Sequence, residues 1–229
     1  MATTRRSGKR IVLWTFISLV AVCIIVMAGL LLFSGSIVGP APAPLHFPPL
    51  SPATTSASTA SPDGTWSVGG GSLAGFRVPE SFLTQSGTIV GRTSDVTGSL
   101  IISHHEISSG LFHVDLSKLT IGGKQNASFF QLLETSKYPH ATLTLTRPIV
   151  FSSLPTNGQT LSSQATASLA MHNITRAVTL TLMARSNGSV LEAVGSAPVL
   201  ASEWGIQSPF GVHNNAVIEF LVVLHRGSQ

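Results

Sequence analysis

Eight histidines and nine carboxylates are the side chains in this chain that could carry acid–base or metal chemistry. His104 and His105 are adjacent, so on a strand they face opposite sides and cannot share one metal ion. His113, His140 and His172 stand singly, on strands or at turns. Asp115, Glu192, Glu203 and Glu219 are the carboxylates nearest to strand-like segments, yet no titratable neighbour stands at a spacing that argues for a general acid–base pair. The lone cysteine, Cys23, rules out an intrachain disulfide, a CxxC redox pair and a thiolate zinc site. No Gly-x-Ser-x-Gly elbow occurs, and "GGKQ" at 122–125 lacks the upstream glycine and the Ser/Thr of a phosphate loop. The expectation is a protein without catalytic residues or a metal site. Three Asn-x-Ser/Thr sequons, at Asn126, Asn173 and Asn187, matter only if the host glycosylates exported proteins.

Charge is equally spare. Only 10% of residues are charged, against ~25% in an average globular domain. The net charge of +4 comes from Arg5, Arg6, Lys9 and Arg10; beyond them, nine basic residues balance nine acidic ones. Nucleic acid is therefore not an expected partner. That basic tail, residues 1–10, leads into "IVLWTFISLVAVCIIVMAGLLLF", residues 11–33, without one charge. At ~1.5 Å per residue the run makes ~35 Å of helix, enough to cross a ~30 Å hydrocarbon core. A single-pass membrane anchor is expected, its basic end cytoplasmic and the remainder outside; a cleaved signal followed by secretion is the alternative. Residues 34–64, rich in Pro, Ala, Ser and Thr with Asp63 the only charge, read as a disordered, extended spacer. The rival reading packs this segment on the domain that follows.

From residue 65 to 229 the pattern is strand-like almost throughout. Ala74, Phe76 and Val78 alternate in "SLAGFRVPE", and Ala141, Leu143 and Leu145 alternate with threonines in "HATLTLT". Leu169 and Met171 close the apolar face of "ATASLAM", Leu180 and Leu182 lie in "RAVTLTLMA", and Phe220 and Val222 in "AVIEFLVVL". Asn157-Gly158 and Asn187-Gly188 suit tight hairpin turns. Only "NASFFQLLETSKYP" breaks the period: Phe129, Phe130, Leu132 and Leu133 fall at helical spacing, with Asn126 or Ser128 as N-cap and Pro139 as stop. Many short alternating strands and one helix argue for an antiparallel barrel or sandwich.

Taken in order, these segments resemble the YceI family of lipocalin-like, polyisoprenoid-binding proteins. "WSV" and "SLAGFRV" are similar to the family's opening strands, and "KYPHATL" to its "KYP-x-ATF" signature with Leu143 in the Phe position. "ASLAMHNITRAVTLTL" is similar to a "GDLTIRGVTKPVTL" hairpin, and "ASEWGI" to "RSDFGI". Lys124-Gln125-Asn126 and Ala167-Ser168 depart from charged family positions. The resemblance implies an all-β, eight-stranded antiparallel lipocalin-like barrel with one short helix, around a long apolar tunnel. It also implies a non-catalytic function, the binding of an isoprenoid lipid such as a quinone tail or a polyprenyl carrier. The alternative is a closed, ligand-free barrel serving as an envelope interaction module. On the tunnel reading Phe76, Val78, Leu143, Leu145, Leu169, Met171, Leu180, Leu182, Phe220 and Val222 line the cavity. Phe129, Phe130 and Leu133 from the helix, and Trp204 of "ASEWGI", complete the expected lining.

Overall fold

A computed structural model describes residues 41–50, 62–82, 85–151, 159–187 and 189–227. The basic tail, the apolar run 11–33 and the Asn157-Gly158 turn lie outside the described residues; among those described, no helix is long and apolar enough to cross a membrane.

In chain order the elements are β1 (Gly64–Val68), β2 (Leu73–Phe82), β3 (Gln85–Thr93), β4 (Val96–Ser103), β5 (Glu106–Asp115), β6 (Thr120–Ile121), α1 (Ala127–Leu132), β7 (His140–Leu145), β8 (Ile149–Val150), β9 (Thr160–Met171), β10 (Ile174–Asn187), β11 (Val190–Leu200) and β12 (Asn215–Arg226). All twelve strands share one antiparallel sheet. Short consecutive strands share a stave. β12 pairs through Leu224–Arg226 with β1 and through Val217–Leu221 with β2. In the same way β3 continues into β4, β5 into β6, and β7 into β8. With β9, β10, β11 and β12 these make eight staves, and β1 on β12 closes the ring. Closure removes the free edges that an open sheet would present.

Period-two alternation sets which side chains face in. In β12 the inner row is Ala216, Ile218, Phe220, Val222 and Leu224, and the outer row contains Val217, Glu219, Leu221 and Val223. The core cluster at one end gathers Leu116, Leu119, Leu169, Leu180 and Trp204; a second cluster at the other gathers Trp66, Leu100, Ile102 and Leu224. Helix α1 starts where Asn126 accepts from the Phe129 N–H at 3.1 Å. It stops well before Pro139, because Glu134 turns left-handed at φ 44° after the Leu133 cap.

Two expectations are corrected, the placing of the Asn187-Gly188 turn and the free spacer. His104 and His105 both take positive φ and make a two-residue turn between β4 and β5, as His172 and Asn173 do between β9 and β10. This is the conformation a primed hairpin turn requires, and histidine and asparagine tolerate it better than most residues. Asn187, by contrast, pairs with Val190 and belongs to β10. The second difference is larger. Residues 41–50, expected within a disordered spacer, lie as a strap across the outer wall. The Pro42 carbonyl accepts from Arg77, the Ala43 carbonyl from Arg92 and the Pro48 carbonyl from Arg185, while the Leu45 N–H donates to Glu219 at 3.2 Å. Phe47 sits under the Arg185 guanidinium, 4.5 Å from ring centre to Cζ. A proline-rich segment offers carbonyls without matching N–H groups, and arginine donors on the wall satisfy them.

Candidate binding site: an apolar tunnel in two chambers

The inner rows enclose two cavities. One, of about 170 Å³, lies toward α1 and is walled by Phe76, Val78, Phe129, Leu133, Leu143, Leu169, Met171, Phe220 and Val222, among others. The other, of about 350 Å³, lies toward the opposite end and is walled by Leu143, Leu145, Leu180, Leu182, Phe220 and Val222, among others. Phe112, Leu143, Phe220 and Val222 belong to both walls, so they form a waist where the chambers adjoin. A barrel of this size can instead be filled solidly by side chains. Here small residues keep space open: Ala74, Ala141 and Ala167 face in where a larger side chain would reach across.

Polar groups are few. Ser208, His213 and Glu219 border the smaller chamber, with His213 Nε2 held 2.9 Å from the Ser81 hydroxyl. Ser162, Ser163 and Glu192 border the larger one. The strongest electrostatics run along the outer rows, to which two glutamates bordering the chambers, Glu219 and Glu192, point by register. Arg92 binds Glu219 at 2.7 Å and Arg185 binds Glu192 at 2.6 Å, both carboxylates almost wholly buried. Gly75 stands between Arg92 and Glu219 in the cross-strand register, so no side chain intervenes there. These ion pairs account for two of the four carboxylates nearest to strand-like segments. Among the described residues no group of three or more His, Cys, Asp or Glu is placed to hold a metal ion.

The structure separates two of the expected lining residues from the rest. Trp204 has no exposed surface and lies in the core cluster, its indole N–H donating to the Leu169 carbonyl at 3.2 Å. It lines neither chamber, because the 3₁₀ turn Ala201–Trp204 drives the ring under the sheet end before Gly205 reverses the chain at φ 72°. Phe130 also lines neither chamber and packs, half-buried, against the core. Its neighbour Phe129 takes the wall position, stacked on Phe76 at 5.5 Å and 18° between ring planes. Helical geometry makes the choice: adjacent residues point about 100° apart, so only one of the two phenyls can face the lumen. Phe112, Val114, Leu116 and Leu119 line the smaller chamber as well, and sequence reasoning had not placed them there.

The chain belongs to the family of proteins with a YceI-like domain, whose family model matches residues 55–224. The fold is likewise similar to solved structures. A polyisoprenoid binding domain from Saccharophagus degradans, implicated in plant cell wall breakdown, matches with a TM-score of 0.55 at 14% identity, over 72% of this chain and 99% of that one. Burkholderia cenocepacia BcnA matches with a TM-score of 0.50 at 14% identity, over 66% and 95%. A mutant CJ YCEI protein matches with a TM-score of 0.51 at 11% identity, over 65% and 90%. No curated protein matches the chain.

Proposed function

We propose that the domain binds an isoprenoid lipid, a quinone tail or a polyprenyl chain, along the tunnel and does no chemistry on it. The observation that carries this reading is the pair of adjoining chambers with nearly uninterrupted apolar walls. Membership of the YceI-like family and the fold shared with a polyisoprenoid binding domain support it. The energetics suffice. Each buried CH₂-sized group contributes ~0.8 kcal/mol, so about ten of them match the ~8 kcal/mol of micromolar binding, before the cost of ordering the chain. On this reading residues 11–33 hold the domain at the outer face of a membrane, which puts the tunnel beside its ligand's source. Full-length protein should then stay with membranes through carbonate washing; release of a chain starting between Ser34 and Ala43 would favour signal cleavage instead.

The deciding experiment is an organic extract of the purified domain, read by mass spectrometry. A retained isoprenoid is the expected result. Repeated recovery of an empty domain that also fails to take up added quinone overturns the proposal and favours the closed interaction module.

A further inference from the structure

The waist between the chambers contains an unusual fit. Leu182, Gly195, Phe220 and Ala74 form one cross-strand row over β10, β11, β12 and β2. A Cβ on Gly195 would fall 2.3 Å from Phe220 Cζ, 2.8 Å from its Cε1 and 2.6 Å from Leu182 Cδ2. Real carbon atoms do not approach so closely, so the phenyl ring of Phe220 occupies the space that a side chain at 195 would need. Gly195 is thus a dent in the β11 wall, and the ring is drawn back into it. The lumen opposite, toward Phe112 and Leu143, lies where the walls of the two chambers meet.

We propose that Phe220 and Gly195 together form the aperture that sets how long an apolar chain the tunnel accepts. The inference rests on the lipid-binding reading above and adds a specificity determinant to it. The larger chamber, at about 350 Å³, is over twice the size of a ~150 Å³ cavity that holds one benzene-sized group. A short isoprenoid therefore fits on one side of the waist, whereas a long one must thread past Phe220. Filling the dent pushes the ring into the lumen and closes the passage to long chains alone. Removing the ring reopens it.

The test measures binding of geraniol, farnesol and geranylgeraniol by titration calorimetry to the wild-type domain, Gly195→Ala, Phe220→Ala and the double variant, with thermal melts of each. Gly195→Ala should weaken geranylgeraniol by about tenfold or more and geraniol by no more than about twofold. The double variant should recover the long chain. An equal loss for all three alcohols, or no recovery in the double variant, overturns the aperture while leaving lipid binding intact. If the wild-type domain binds none of the three, lipid binding itself fails and the aperture with it. Should Gly195→Ala not fold, Phe220→Leu decides: it should shift preference toward geranylgeraniol, and an unchanged preference overturns the proposal.

Discussion

Asp115 ends β5 with its carboxylate accepting from the Ser117 N–H at 2.8 Å and the Ser117 hydroxyl at 2.6 Å. The hydroxyl bond is the main cause that holds this carboxyl below its ordinary value; the backbone bond, His140 and Lys118 add to it against the cost of burial. A carboxyl whose value is lowered on folding stabilises the fold above its unfolded value and loses that contribution as pH falls through the folded one. Asp115→Ala should therefore cost about 1 kcal/mol at neutral pH, as lost caps do. The difference from wild type should shrink below the ordinary carboxylate value of ~4. Thermal melts at neutral and strongly acid pH check this, and an equal difference at both would show that the ionised cap is not responsible. Other residue-scale features were hidden in the sequence for a definable reason. Centring the hairpin on Asn187-Gly188 sets Arg185 opposite Val190; the true register, with Asn187 opposite Val190, sets it opposite Glu192. A single-residue error in a turn was enough to conceal a buried ion pair.

Helix α1 has two sides that do different work. Phe129 stacks on Phe76 at the wall of the smaller chamber, while Phe130 packs against the core away from it. Phe129→Ala should weaken retention of an isoprenoid with a modest loss of stability. Phe130→Ala should leave retention unchanged while lowering stability by up to ~3 kcal/mol, less than a fully buried phenylalanine because its site is only half-buried. Retention assays paired with melts decide it, and the reverse pattern would mean that the helix presents its other side. The alternating strands were legible because burial on one face writes a period of two into the residue types. β3 and β11 were not. In β11, Glu192 and Ser196 face out but Gly195 stands where an apolar residue would mark the inner row, and Pro198 interrupts the pattern. Pro198 is tolerated because β10 pairs with β11 only as far as Ser196, so nothing awaits its missing N–H on that side.

At the scale of the whole molecule, the strap decides where the folded unit begins. Val90, Val194 and Leu221 face outward by register yet are buried, on the wall that residues 41–50 cross. A domain trimmed to begin at Pro62 should be less stable than one beginning at Ala41, by about 1–3 kcal/mol for the lost hydrogen bonds to charged groups, and should melt at a lower temperature. Equal melting midpoints would show that the strap merely rests on the surface. Composition could not reveal this, since a proline-rich segment reads alike whether it hangs free or finds arginines to bind; the partners lie far away in sequence, at Arg77, Arg92 and Arg185. The ring closure has a consequence for biogenesis. β12 follows every other strand in the chain, and it alone bridges β11 to both β1 and β2. Until it has been synthesised and delivered, the nascent sheet has two open edges and a half-built apolar trough between them, the state in which β proteins associate wrongly. The sequence separation between β1 and β12 also makes closure a slow, non-local step. The interval before the last strand docks is therefore when this chain most needs an escort, and when a passing lipid would first find the trough open along its side.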